Sequence, residues 1–311
     1  MDARAGNISK TALFSLHSVK KGSGPLRDAL NALKAKLNGE NYIADDALAA
    51  TLYIAMQLNR PLLIEGAAGV GKTEVAKAAA RAFERPLIRL QCYEGLDESK
   101  ALYEWNYQKQ LLSIQMNRDG GQRVEDLFGE EYLLERPLLK SIRSEEPVVL
   151  LIDEIDKADA EFEAFLLELL SEMQVTIPEY GTVCARSVPF IVLTSNHTRP
   201  LSEALRRRCA YLYLEYPDVE REIKILRAKR PGLSEALATQ VARAVAYLRQ
   251  SEAVTKKPSV AEALDWAMAL QALGADELDD ENLAQTLGFA LKNNDDMREI
   301  MADDDFIRAI M

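Results

Sequence analysis

Cysteine and histidine are scarce in this chain, with three cysteines (Cys92, Cys184, Cys209) and two histidines in 311 residues. No C-x-x-C pair occurs, so neither a metal cluster nor a disulfide framework is legible, which suits a reducing, cytoplasmic setting. No apolar run approaches the ~20 residues of a membrane helix. Met1 to Lys21 lacks the continuous apolar stretch of a secretory signal. Positive charge is in deficit: 38 Lys plus Arg stand against 49 Asp plus Glu, a net −11. That balance argues against a large nucleic-acid footprint, though a local basic patch is compatible with it. What remains is ordinary for a globular protein, with 48% apolar and 28% charged residues. The length allows one large or two medium domains, each with a real core.

One stretch organises the rest. Leu62-Leu63-Ile64-Glu65 is a short apolar run that stops at Gly66, and an alanine-rich helical pattern starts at Lys72. Between them Gly66-Ala67-Ala68-Gly69-Val70-Gly71-Lys72-Thr73 reads G-x-x-x-x-G-K-T, the P-loop pattern, with strand before and helix after. Glycines let backbone N–H groups turn around an anion, and the helix N-terminus adds its positive end. Lys72 is placed to reach the outer phosphates of a triphosphate and the Thr73 hydroxyl to ligate Mg²⁺, with Glu74 closing the binding stretch. A chance glycine turn matching four fixed positions arises on the order of 1% of the time in such a chain.

The remaining pattern alternates strands with helices. Leu26–Leu37 and Asp45–Leu58 have helical spacing, and residues 1–24 read as a loosely attached arm. Pro86–Cys92 is a second strand, 93–100 a loop, and 102–114 and 131–142 read as helices around a break at Asn117–Gly121. Pro147–Ile152 is fully apolar at strand length, as in a parallel sheet covered on both faces. A helix over 161–173, a hairpin over 175–184, a strand at Phe190–Asn196, a short helix at Leu201–Arg207 and a last strand at Ala210–Tyr216 follow. A right-handed parallel α/β sheet is the expected result. From Pro217 strand-like runs cease and at least four helical patterns appear (218–229, 234–250, 259–273, 281–292), with Tyr216-Pro217 as the hinge candidate.

Asp153-Glu154 ends the apolar strand some 80 residues after the P-loop. There a strand carboxylate serves Mg²⁺, and the adjacent glutamate accepts a proton from an attacking water. Strand geometry is expected to point the two in different directions. Asn196 ends the next apolar strand, where open parallel sheets bind ligands, and can position that water; Thr194 is a weaker neighbour in the same role. A turn-forming Asn beside His197-Thr198-Arg199-Pro200 is the plainer alternative. Arg206-Arg207-Arg208 is costly unless anions lie close, either local acids such as Glu203 or a γ-phosphate bound in a neighbouring copy.

These stations in this order, followed by a helical half, resemble the AAA+ ATPases over about residues 41–270. Gly66–Thr73 matches Walker A, Val148–Glu154 Walker B, Thr194–Asn196 sensor 1, and Arg208 the arginine-finger position, with Arg207 as runner-up. Within AAA+ the chain looks most like the MoxR group, through Asp153-Glu154-Ile155-Asp156-Lys157-Ala158 and through Gln174–Ile177 followed by Val188-Pro189-Phe190. The CoxD-like branch is similar through Gln91–Asp97 and Lys257–Glu262. The resemblance implies an αβα core with a five-stranded parallel sheet (41–216), an N-terminal extension and linker helix (1–40), and an all-helical lid (217–311). It implies ATP and Mg²⁺ as bound groups, a homo-oligomeric ring, hexameric in type, and a remodelling chaperone. Such a chaperone works with a von Willebrand A-domain partner on a metalloenzyme, for the CoxD branch a molybdenum-containing dehydrogenase. One departure stands out: the group's lid arginine falls in Ser259-Val260-Ala261-Glu262, which has none. Either Lys256 or Lys257 contacts phosphate instead, or lid coupling is weaker. The hairpin at 174–189 and the loop at 93–101 are the pore candidates. Competing classes are a DNA-associated AAA+ protein of loader or branch-migration type and a P-loop kinase for a small metabolite. The acidic balance speaks against the first, and the triple arginine and helical half against the second.

Overall fold

The apolar runs become the inner strands of one parallel sheet. A computed structural model describes residues 24–116 and 124–310; the N-terminal arm to residue 23 and the break at 117–121 lie outside the described residues. The strands are β1 (Leu62–Gly66), β2 (Leu87–Gln91), β3 (Tyr103–Trp105), β4 (Leu133–Glu135), β5 (Val149–Asp153), β6 (Gln174–Ile177), β7 (Gly181–Cys184), β8 (Phe190–Ser195) and β9 (Ala210–Leu214). Five of them form a sheet in the order β2-β5-β8-β1-β9, with every pairing parallel. Successive side chains point to opposite faces. Leu62, Ile64, Val149, Leu151 and Val192 therefore meet α1 (Pro25–Gly39), α2 (Asp46–Gln57) and α3 (Lys72–Ala82) through Leu33, Leu37, Leu48, Leu52, Val75 and Ala79. Leu63, Leu150, Ile152, Ile191 and Leu193 meet the opposite layer. With α4 (Glu98–Ala101) and α5 (Tyr107–Met116) preceding it in the chain, that layer is built on α6 (Pro137–Arg143), α7 (Ala160–Glu172) and α8 (Glu203–Arg208). Burial on both faces is why these strands read as unbroken apolar runs. Each fully buried Leu or Ile contributes about 1.5–3 kcal/mol relative to exposure.

The C-terminal third is helical: α9 (Val219–Lys229), α10 (Glu235–Gln250), α11 (Val260–Ala272), α12 (Asp280–Ala290), α13 (Asn294–Met301) and α14 (Asp304–Ile310). It has its own apolar core around Trp266 and Phe306, and the Trp266 indole N–H donates to Thr286 Oγ1 at 2.8 Å. The start of α11 is fixed by a capping box between Ser259 and Glu262. Its first turn rests on the P-loop, where the Ala261 N–H donates to the Gly69 carbonyl at 3.3 Å. Among the described residues, no helix is long and apolar enough to cross a membrane.

Three expectations between residues 93 and 146 are corrected. The loop at 93–100 ends in α4. The helix read over 102–114 begins as β3 and turns helical only at Tyr107, and the helix read over 131–142 is a single turn at Glu130–Tyr132, then β4, then α6. β3 and β4 pair antiparallel, and buried Trp105 packs edge-on against Tyr103 and Phe128. Tertiary packing overrides local spacing in strands of three residues. The helical periodicity of 102–114 did not mark a core face either, since Leu111 and Leu112 are 58% and 59% exposed.

Candidate active site

The backbone of the P-loop explains its glycines. A Cβ on Gly66 would stand 2.3 Å from the Leu214 carbonyl oxygen of neighbouring β9. Gly69 and Gly71 have φ of 73° and 98°, the left-handed region. Gly71 caps α3 without a side chain, which leaves the first-turn N–H groups to an anion. Lys72 is buried, and its Nζ donates to the carbonyls of Gly66 at 2.8 Å and Ala67 at 2.7 Å. Burial pulls its pKa down, opposed by the carboxylates of Asp156, Asp153 and Glu154.

Asp153, at the end of β5, is almost wholly buried. Its oxygens accept from Thr73 Oγ1 at 3.0 Å, from Thr194 Oγ1 at 2.5 Å, and from Arg89 through Nη2 at 2.6 Å and Nε at 3.0 Å. Glu154 lies beyond the strand with φ 58° and ψ 49°. A left-handed turn, and not the strand pleat expected from the sequence, therefore separates the two carboxylates. Glu154 Oε2 accepts from Gln91 Nε2 at 2.9 Å and pairs with Lys157 at 2.5 Å, while Oε1 accepts from Asn196 Nδ2 at 3.4 Å. The turn carrying Asn196 is held by Asp156, which accepts from the Asn196 N–H at 3.1 Å and from Thr198 N–H and Oγ1 at 3.0 and 2.6 Å. Burial pushes the Asp156 carboxyl up, but these hydrogen bonds outweigh it and hold its pKa below the ordinary value.

A cavity of about 320 Å³ opens between the α/β body and the helical body, within the size range of small-molecule sites. Ala68 to Glu74, Asp153, Glu154, Thr194 and Asn196 line it from one side, and Arg221, Ile225, Lys229, Val260, Ala261 and Leu264 from the other, with Asn41–Ile43 at its edge. Gly66 and Ala67 do not line it, but their carbonyls hold Lys72, which does. The sequence-predicted set thus converges, apart from the arginines. Arg206 pairs with buried Glu65 at 3.0 Å, exposed Arg207 lies 3.8 Å from Glu203, and Arg208 donates to Ser171 and to the Ala204 carbonyl. None of the three lines the cavity of its own chain. The lysines considered for the lid are elsewhere too: Lys256 pairs with Glu262 at 3.7 Å, and Lys257 donates to the Ser251 carbonyl. The cations of the helical third at the cavity are Arg221, paired with Asp45 at 2.5 Å, and Lys229, paired with Glu74 at 3.2 Å.

Sequence reasoning passed over Arg89 and Gln91. Their signal was present: polar residues two apart near the C-terminal end of a strand share one face. For a divalent cation, Thr73 and Asp153 offer two hard oxygen donors, which suits Mg²⁺. Among the described residues no group of three or more His, Cys, Asp or Glu could hold a metal, so the remaining ligands would be phosphate and water. Cys92 and Cys209 are buried, and burial pushes both thiols up to about 12, which leaves them inert packing groups.

Residues 61–209 match a family model described as the AAA domain of the dynein-related subfamily. The chain is 29% identical over 185 residues to an uncharacterised protein of Staphylococcus saprophyticus, covering 57% of this chain and 64% of that one. It is 28% identical over 193 residues to an uncharacterised protein of Staphylococcus aureus, covering 60% and 65%. The matches therefore span just under two thirds of these curated relatives' length. Among solved structures, a point mutant of Thermotoga maritima RuvB overlays with a TM-score of 0.50 at 16% identity, covering 85% of this chain and 77% of that chain. Likeness at that identity speaks for the fold alone. Residues 61–209 are thus similar to an AAA domain, and the sheet order and P-loop are those of the AAA+ P-loop fold, followed by a helical region.

Proposed function

We propose that this chain is an ATP-hydrolysing AAA+ remodelling chaperone of the MoxR type, CoxD-like branch. The observation that carries the ATPase reading is the meeting of Lys72, Thr73, Asp153, Glu154 and Asn196 at one cavity between two bodies. In this reading the α3 N-terminus and Lys72 bind the phosphates of ATP. Thr73 and Asp153 hold Mg²⁺, which when bound supplies charge that offsets the phosphates' own. Asn196 and Glu154 orient a water. Its oxygen bonds to the γ-phosphorus as the bond to the β-phosphate oxygen breaks, and its proton goes to a Glu154 carboxylate oxygen. ADP and phosphate leave. The proposed bodies are a core over 41–216 and a lid over 217–311, with 1–40 an extension and linker helix. Motion of the lid about Tyr216-Pro217 would pull on the loops at 93–101 and 174–189. In a homo-oligomeric ring, Arg208 or Arg207 of one copy completes the site of the next.

Lys72→Ala should abolish binding of a fluorescent ATP analogue; unaltered affinity would overturn the P-loop assignment. Glu154→Gln should bind ATP normally and turn it over at least about 100-fold more slowly, as loss of a positioned base implies. Normal turnover would remove Glu154 from that role.

The chaperone reading rests on the resemblance in residues 153–158, 174–177 and 188–190. Its partner is a von Willebrand A-domain protein and its client a metalloenzyme of the molybdenum-containing dehydrogenase type. Co-purification with such a pair supports it, and DNA-stimulated turnover would favour a DNA-associated AAA+ role. That alternative has only fold likeness behind it, and the net charge of −11 opposes it.

A further inference from the structure

We propose that Arg89 is a cationic guard on the metal-binding carboxylate: it occupies Asp153 so that a divalent cation enters together with the nucleotide's phosphates and not before them. The inference deepens the ATPase reading and rests on it.

Arg89 is the third residue of β2, which pairs in parallel with β5 and sets Gln91 beside Asp153. Its guanidinium meets Asp153 Oδ2 through two nitrogens, at 2.6 and 3.0 Å. The hydroxyls of Thr194 and Thr73 take Oδ1 at 2.5 and 3.0 Å. Both oxygens are thus engaged, and one by a full positive charge. A divalent cation at Thr73 and Asp153 needs the same carboxylate, directly or through a water. Guanidinium and metal repel one another at such separations. Protein sites hold Mg²⁺ through one or two carboxylates plus substrate phosphates, because the ion parts with its water reluctantly. One carboxylate already neutralised by an arginine is too little on its own, and a triphosphate supplies the missing charge.

The two partners are unequal in a way that permits exchange. The Asp153 side chain is 2% exposed and that of Arg89 is 47% exposed, so the arginine can withdraw into water while the aspartate stays in place. Arg89 also donates to Gln91 Oε1 on its own strand, a ready second partner. A buried carboxylate left without any cation is costly, so arginine and metal can serve Asp153 in turn.

Mn²⁺ is the probe, its free concentration followed by electron paramagnetic resonance, with and without a non-hydrolysable ATP analogue. Arg89→Gln keeps a hydrogen-bond donor and removes the charge; Arg89→Lys keeps the charge. Without nucleotide, Arg89→Gln should bind Mn²⁺ about tenfold more tightly than wild type, and Arg89→Lys within about twofold of it. With the analogue the gap should close. Unchanged Mn²⁺ affinity in Arg89→Gln overturns the guard, and so does a lowered melting temperature as its sole effect. A second measurement avoids Arg89 variants. Asp153→Asn should weaken Mn²⁺ binding strongly with the analogue present and little without it; equal weakening in both states refutes the proposal. Wild-type protein that binds no analogue at all would point instead to failure of the ATPase reading.

Discussion

Asp156 does at residue scale what neither Asp153 nor Glu154 can do for itself, because it fixes the turn that brings Asn196 to the glutamate. Its carboxylate accepts three hydrogen bonds from Asn196 and Thr198. Asp156→Asn should therefore lower stability by about 1–3 kcal/mol at neutral pH, measured by urea unfolding. The pH dependence has a definite sign. The folded-state pKa lies below the ordinary 3.8, so the contribution is complete above that value and is lost as pH falls through the lowered one. The gap between wild type and Asp156→Asn should then shrink below about pH 4; a gap that is constant down to pH 2 would count against a carboxylate role. The sequence displayed Asp153, Glu154 and Asn196 because each stands at the end of an apolar run. Asp156 sits in a turn, where nothing in the spacing separates an anchor from a solvated acid, and Arg89 reads equally well as an exposed strand residue.

At the scale of elements, the P-loop and the first turn of α11 are built against each other. A Cβ on Gly69 would meet Ser259 Oγ at 2.4 Å, at a φ of 73°. Gly69→Ala should disfavour this arrangement by about 1–3 kcal/mol. Faster amide exchange over residues 259–262 and weaker nucleotide binding are the readouts, and unchanged exchange there would show that the two elements do not hold each other. The stretch Ser259–Glu262 lacks an arginine, yet it reaches the loop through Ser259 and Ala261, with Lys229 and Arg221 of α9 at the same cavity. Element identity was readable where apolar spacing was long, as in α3, β5, α7, β8 and α10. Between 93 and 146 it was not, because β3 and β4 have three residues each and are held by pairing with one another, with Trp105 packed against Tyr103 and Phe128.

At the scale of the whole molecule, the three arginines before β9 divide by environment. Arg206 is committed to buried Glu65, which also accepts from the Tyr211 hydroxyl at 3.0 Å. Arg206→Ala should cost about 1–3 kcal/mol of stability, since it strips the cation from a buried carboxylate. A melting temperature equal to wild type would contradict that. Arg207 and Arg208 stay as candidates for action on a neighbouring copy. In the proposed ring, subunits carrying Arg208→Ala would be inactive at their neighbour's site and those carrying Glu154→Gln at their own. Mixing the two should restore some hydrolysis if the site is shared, and a mixture that stays as inactive as either variant alone would argue for a site completed within one chain. The same mixture with Arg207→Ala decides between the two arginines.

The sequence by itself determined the parallel sheet, the phosphate loop, the carboxylate pair and the helical C-terminal third. Each of these rests on local pattern: apolar runs buried on two faces, glycines where φ is positive, helical spacing over ten residues or more. Tertiary structure alone decided that Arg89 bonds Asp153, that Asp156 anchors Asn196, and that α9 brings Lys229 to the cavity. Those groups meet across gaps of 40 to 155 residues in sequence. Pairing at such distances follows from how the strands and the C-terminal helices pack, which no local spacing records.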